Sequence, residues 1–241
     1  MSELDRNTPG EAEMEREAEA ARGLVTLSEP GGLAAEAYRT LRTNLFYALV
    51  DEPPRVISVT SPGPGEGKSV TCANLGVVLA QAGKDTLILD CDLRKPAMHR
   101  AFGVRSLRGL VDVLMDNRPL DEVWYEPVAN LKVLPVGMVP PNPSELLESR
   151  RFSELLGHLR EEFDYVLLDA PPVGLVSDPL ILATQVDGML LVVNAQKTRK
   201  ANVRRSMRSL ETVEAKVLGT VLNNVNASRG GYAQYQSYTY A

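Results

Sequence analysis

The chain of 241 residues has two cysteines, one tryptophan and four phenylalanines, and it has no long apolar run. Cys72 and Cys91 allow at most one bridge and no metal-binding spacing, so both read as reduced thiols in a reducing, cytoplasmic compartment. The strand-like runs, such as Met189-Leu190-Leu191-Val192-Val193, fall far short of the ~18–20 residues a membrane span needs. The acidic N-terminus lacks the apolar core of a secretory signal. Excess positive charge is missing too: the net charge is −5, which disfavours a globally basic nucleic-acid binder. That −5 is local. Residues 1–30 carry eight acids and three arginines, while the other 23 acids and 23 bases cancel.

Three regions follow from the patterning. Residues 1–32 read as an acidic, loosely ordered or partly helical extension, and 229–241 as a flexible tail. Between them, 33–228 form the folded domain. Apolar residues at helical spacing (Ala34, Tyr38, Leu41, Leu45, Leu49) predict a helix over Leu33–Leu49, stopped by Pro53-Pro54. Strands are predicted at Val56–Thr60, Thr86–Asp90, Lys132–Pro135, Tyr165–Asp169, Gly188–Asn194 and Val217–Asn223. Helices are predicted at Lys68–Ala82, Leu107–Met115, Ser144–Glu161, Asp178–Gln185 and Lys200–Val213. This alternation, with near-continuous apolar strands, implies an α/β fold with a mostly parallel sheet and helices on both faces. Ligands of such sheets bind beyond the carboxyl ends of the strands.

The chemical motifs fall at those ends. Ser61-Pro62-Gly63-Pro64-Gly65-Glu66-Gly67-Lys68-Ser69 follows an apolar strand and opens a helix. Its glycines let backbone N–H groups face phosphate oxygens, and the helix N-terminus favours anions. Lys68 would bridge β- and γ-phosphates and Ser69 would hold Mg²⁺. The first glycine of the general phosphate-loop pattern is Pro62 here. Asp90 and Asp92 stand two residues apart where one strand ends, and Asp169 ends another in Leu168-Asp169-Ala170-Pro171-Pro172. Carboxylates so placed can orient the waters Mg²⁺ retains.

Four of the eight tyrosines (Tyr232, Tyr235, Tyr238 and Tyr240) lie in the last eleven residues, which carry no charged side chain. This is roughly tenfold above chance. A second compositional feature is the run Lys197, Arg199, Lys200, Arg204, Arg205 and Arg208, uninterrupted by an acid. It reads as a solvated helix face or as a docking surface for acidic partners or lipids.

From Leu33 onward these motifs resemble the bacterial tyrosine kinases of polysaccharide synthesis. The family's phosphate loop resembles Pro64-Gly65-Glu66-Gly67-Lys68-Ser69, its Asp-x-Asp-x-Arg stretch resembles Asp90-Cys91-Asp92-Leu93-Arg94, and its third motif resembles Leu168–Pro172. Pro140–Leu147 resembles the family's linker into a helix, and Glu36, Arg39, Arg42, Thr43 and Asn44 match its self-association motif.

The resemblance implies an ATP- and Mg²⁺-dependent protein-tyrosine kinase that phosphorylates its own tail in trans within a ring-like homo-oligomer and regulates capsular or exopolysaccharide synthesis and export. It implies catalytic Lys68, Asp90, Asp92 and Asp169. Nucleotide contacts would come from Gly65, Glu66, Gly67, Lys68, Ser69, Val70 and Asn223, with Ser69, Asp92 and Asp169 at the metal. Asp92 is assigned to the metal and Asp90 to the acceptor hydroxyl, an assignment open to exchange, and Asn223 or Asn224 to the adenine edge or a plain turn. Tyr232, Tyr235, Tyr238 and Tyr240 would be the phosphoacceptors and Glu36, Arg39 and Arg42 the oligomer interface. A membrane adaptor supplied in trans, a cognate tyrosine phosphatase and recruitment to the inner face of the membrane complete the picture, without nucleic acid and without a transmembrane segment. Two other readings share the phosphate loop: a partitioning- or septum-type switch ATPase, disfavoured because Gly63 stands where those proteins carry a lysine, and a non-catalytic nucleotide-dependent scaffold.

Overall fold

The computed structural model describes residues 23–48, 53–104 and 106–226. The tyrosine cluster at 232–240 and residues 1–22 lie outside the described residues. Seven strands form one sheet: β1 (Val56–Thr60), β2 (Thr86–Asp90), β3 (Tyr125–Val128), β4 (Leu131–Leu134), β5 (Tyr165–Asp169), β6 (Gly188–Asn194) and β7 (Val217–Asn223). Their order is β3-β4-β2-β5-β1-β6-β7, with every pairing parallel except β3–β4. The helices are α1 (Val25–Ser28), α2 (Leu33–Phe46), α3 (Lys68–Gln81), α4 (Met98–Ala101), α5 (Leu110–Asp116), α6 (Pro143–Glu148), α7 (Arg150–Glu162), α8 (Asp178–Ala183) and α9 (Lys200–Thr212).

β1, β2, β5 and β6 are buried at every position, so they need apolar side chains on both faces and read as continuous runs in sequence. One face is covered by α3, whose residues 71–80 are all buried. It carries α2 on its outer side, where Tyr38 and Leu41 pack on the same cluster. The other face is covered by α5–α7, around Leu110, Phe152 and Leu159, and by α8 and α9 under β6, around Leu182 and Leu210. Among the described residues, no helix is long and apolar enough to cross a membrane.

Five differences from the sequence reading have physical causes. The packed chain begins before Leu33: Leu24 is buried, and Asn74 Oδ1 of α3 accepts from Thr26 N (3.1 Å) and Thr26 Oγ1 (2.8 Å), strapping α1 onto the core. The helix expected over Ser144–Glu161 is two, because Ser149 turns extended (φ −67°, ψ 149°) and its hydroxyl caps α7 at Phe152 N. The helix expected from Leu107 starts at Leu110. The short helices α1 and α4 carry too few residues to show a helical period. Strand β3 escaped notice because it is an edge strand with two exposed positions and a proline, Pro127.

Candidate active site

Strand register brings the acids together. β2 and β5 are neighbours with Asp90 directly opposite Asp169, and Cys91 N donates to Asp169 O at 2.9 Å. β1 lies on the other side of β5, so the loop after Thr60 emerges beside Asp169. Two bonds stitch the loops after β1 and β5: Thr60 Oγ1 donates to Pro171 O (2.7 Å) and Val173 N to Ser61 O (2.9 Å).

The phosphate loop turns through Gly65 (φ +70°) and Gly67 (φ +94°) before α3 begins at Lys68. Left-handed backbone at both positions curls the loop as an anion-binding nest requires, at the N-terminus of a long helix. Gly67 is also pressed from outside, because a Cβ there would lie 1.9 Å from Asn223 Nδ2.

Lys68 Nζ lies 2.9 Å from Asp92 Oδ2, 3.2 Å from Asp169 Oδ1 and 3.1 Å from Ser69 Oγ. Ser69 Oγ in turn donates to Asp169 Oδ2 at 2.5 Å. Burial would lower the Lys68 ammonium, but the charges of Asp169 and Asp92 outweigh it and hold the pKa above the ordinary value, so the group stays charged. Burial, with the neighbouring Asp92 charge, pushes the fully buried Asp169 carboxyl up, against the pull of Lys68 and Ser69.

Asp90 is fully buried, and its oxygens accept from Asp92 N (3.2 Å), Ala97 N (2.8 Å) and Met98 N (2.9 Å). Burial and the Asp169 charge push its carboxyl up to about 7. With these bonds to nearby backbone N–H groups, Asp90 ties the turn after β2. Asp92, by contrast, sends Oδ2 to Lys68 while Oδ1 accepts from Lys95 N at 3.0 Å.

Two loop contacts tie the phosphate loop to the strands beside it. Glu66 Oε2 accepts from Thr198 Oγ1 (2.7 Å) and Asn194 N (3.1 Å). Asn223 Nδ2 donates to Glu66 O at 3.0 Å, and its Oδ1 accepts from Asn224 N. The Asn223 amide is thus a latch on the phosphate loop. Val70 is half exposed on the first turn of α3.

A clamp escaped the sequence reading. Arg94 donates to Asp178 through Nε (2.7 Å) and Nη2 (3.1 Å), Nη2 also reaches Ser144 Oγ (3.0 Å), and Ser144 Oγ donates to Asp178 at 2.6 Å. Burial would raise the Asp178 carboxyl, but the bonds from Arg94 and Ser144 hold it below the usual range. This fastens the segment carrying Asp92 to the starts of α6 and α8. No spacing links Arg94, Ser144 and Asp178, so only the Asp-x-Asp-x-Arg stretch hinted at it.

The self-association residues lie on α2, away from this cluster. Arg39 pairs with Glu36 (2.7 Å) and also donates to Pro30 O, while Arg42 Nη1 donates to Val78 O at 2.9 Å. Within one chain these contacts fix the helix face.

Comparison with known proteins agrees with this geometry. A family model described as ParA, NUBPL iron-transfer P-loop NTPase, matches residues 52–234. The chain is 39% identical to the tyrosine-protein kinase YwqD of Bacillus subtilis over 218 residues, covering 90% of this chain and 91% of that protein. It is 38% identical to the putative tyrosine-protein kinase EpsB of Ralstonia solanacearum, covering 90% of this chain but 30% of that longer protein. Among solved structures, the chimerical protein CapA2B2 superposes with a TM-score of 0.81 at 34% identity, covering 88% of this chain and 99% of that one. The septum site-determining protein MinD of Pyrococcus horikoshii, complexed with Mg-ADP, is more distant: TM-score 0.62, 26% identity and 76% of each chain. A nucleotide-binding phosphate loop on a MinD-like sheet, joined to kinase relatives over nine-tenths of its length, places this chain in the P-loop family of bacterial tyrosine-protein kinases.

Proposed function

We propose that the chain transfers the γ-phosphoryl group of ATP to Tyr232, Tyr235, Tyr238 and Tyr240 of a neighbouring copy. The observation that carries this reading is the cluster of Lys68, Ser69, Asp92 and Asp169 at the mouth of the phosphate loop. Two buried aspartates, Asp92 and Asp169, pair with one ammonium there, with the buried Asp90 carboxyl behind them, an acid-rich setting that suits a divalent cation. Among the described residues, no three acids or histidines converge as direct metal ligands. Ser69 would therefore be the protein's direct oxygen ligand, with Asp169 and Asp92 orienting the cation's waters. Mg²⁺, when bound, supplies charge neutralisation at the phosphates.

The chain's own groups do the rest. Lys68, kept protonated by its acid neighbours, supplies a fixed positive charge at the helix N-terminus. Gly65, Gly67 and the first turn through Val70 shape the backbone around the phosphates. A tyrosine hydroxyl, with an ordinary pKa of about 10, needs a proton acceptor at neutral pH. Asp92 is the member of the Asp90/Asp92 pair that touches Lys68, and it takes that role, while Asp90 positions it through the turn.

Fifteen residues beyond Asn226 reach at most about 50 Å when extended, enough to enter a neighbour's site. Glu36, Arg39 and Arg42 on α2 would assemble the ring that brings copies together. Residues 1–22 remain an extension of unassigned role. A membrane adaptor, a tyrosine phosphatase and a cytoplasmic site under the membrane fit a kinase of polysaccharide export.

Mixing a Lys68→Met chain with one in which the four tail tyrosines are phenylalanine, in radiolabelled ATP and Mg²⁺, tests the proposal. Label is expected on the tail of the Lys68→Met chain. Phosphate release without label would favour the switch ATPase, and neither would favour the scaffold.

A further inference from the structure

Helix α9 presents a row of cations that nothing covers. Lys200, Arg204 and Arg208 repeat at the four-residue spacing of one helix face, with Arg205 beside them, and Lys197 and Arg199 extend the row into the preceding loop. All six are exposed. Among the described residues, none of the six cationic side chains has an ion pair or hydrogen bond, and the nearest acids in sequence, Glu211 and Glu214, lie past the cationic row. The opposite face of α9 is spoken for, since Ser206 and Leu210 are buried and Val203 and Met207 pack under β6. Six uncompensated charges on a chain of net charge −5 form a surface for an anion of matching extent.

The segment that leaves the described structure does so beside this row. Ala195 N donates to Asn223 O (2.8 Å) and Gln196 Nε2 to Asn224 O (2.8 Å), so the end of β7 is held against the loop that opens α9. From Asn226, six residues lead to Tyr232, a reach of up to about 20 Å. Helix α9, 13 residues long, spans about 20 Å. The last eleven residues carry no charged side chain before modification, so their side chains offer arginines no anion. Each phosphotyrosine adds about −2 and three strong acceptor oxygens, the partner that arginine clusters hold best.

We propose that the phosphorylated tail of this chain, residues 227–241, docks on the cationic face formed by Lys197, Arg199, Lys200, Arg204, Arg205 and Arg208. The inference rests on the four tail tyrosines being the phosphoacceptors. Docking withdraws the modified tyrosines from the catalytic mouth, so phosphorylation itself clears the product. The same residues tie back to the nucleotide site, because Thr198, in the middle of the row, holds Glu66 of the phosphate loop at 2.7 Å. A seated tail therefore also bears on the loop that grips the nucleotide. The tethered tail is present at a high effective concentration, so modest contacts suffice.

The test is fluorescence anisotropy of a labelled synthetic peptide of residues 231–241, phosphorylated on all four tyrosines, titrated with the full, dephosphorylated chain without ATP. Saturable, salt-sensitive binding is expected. It should weaken about tenfold or more in Arg204→Glu/Arg205→Glu/Arg208→Glu. The unphosphorylated peptide should not bind. Should the reversed variant fold poorly, Lys200→Gln/Arg204→Gln/Arg208→Gln reports the same loss with less repulsion. Equal binding of both peptides, or of wild type and variants, overturns the proposal. So does a face that binds phosphatidylglycerol vesicles or a peptide of residues 1–22 through these arginines while ignoring the phosphopeptide. The peptide needs no kinase activity, so a chain that labels its tail yet fails to bind refutes the docking alone, and one that binds but never labels refutes the kinase reading alone.

Discussion

The latch between Asn223 and the phosphate loop makes a quantitative prediction through Gly67→Ala. Two costs come from the structure. Alanine at φ +94° sits where L-residues are disfavoured by about 1–2 kcal/mol. Its Cβ would stand 1.9 Å from Asn223 Nδ2, so the amide must leave Glu66 O and forfeit a hydrogen bond of about 1 kcal/mol. Because Nδ2 is the tip of a side chain, the amide can swing away without moving the strand. The expected destabilisation is about 2–3 kcal/mol, and Asn223→Ala alone should cost about 1 kcal/mol. The double variant loses the same bond only once. It should therefore match Gly67→Ala, with a coupling of about 1 kcal/mol against the additive sum. Urea unfolding of the nucleotide-free protein measures this, provided the slope with denaturant stays constant across the four proteins. Additivity within about 0.5 kcal/mol would show that the two residues do not share the bond, and the latch would fall.

Two more predictions separate structural acids from reactive ones. Asp90→Ala removes the acceptor of three backbone N–H groups, those of Asp92, Ala97 and Met98, so it should cost about 2–3 kcal/mol and lower the yield of folded protein. Asp92→Asn should fold with a Tm near wild type yet lose tail labelling, and a fully active Asp92→Asn would remove it from the chemistry. At Asp187, burial would raise the carboxyl, but Val56 N, Arg160 and Arg55 N hold it below the ordinary range. The stability this adds is present above the unfolded value of about 4 and is lost as pH falls through the lowered folded value. Asp187→Asn should accordingly be about 1 kcal/mol less stable than wild type at pH 6–8, with the gap closing below about pH 4 in thermal melts. A gap independent of pH would place the effect in packing rather than charge.

Sequence alone determined six of the seven strands and the sheet edge at which the phosphate loop and its acids lie. Five of the six strands expected, β1, β2, β5, β6 and β7, have the bounds read from the chain, and the sixth, β4, is shifted by one residue. Doubly buried strands require unbroken apolar runs, and polar residues that end such runs mark the carboxyl edge. Lys68, Ser69, Asp92 and Asp169 were legible for that reason. The division of labour was not. Asp90 and Asp92 are the same residue type two positions apart, and what separates them is which one meets the N–H groups of Ala97 and Met98. Asn223 and Glu66, 157 residues apart, meet only because β7 lies beside β6 and β6 beside β1. Arg94, Ser144 and Asp178 likewise meet only through the packing of α6 and α8 against the turn after β2. Local pattern records burial and backbone conformation, which each residue carries with it. Hydrogen-bond partners distant in the chain are chosen by strand order and helix packing, and those belong to the folded whole.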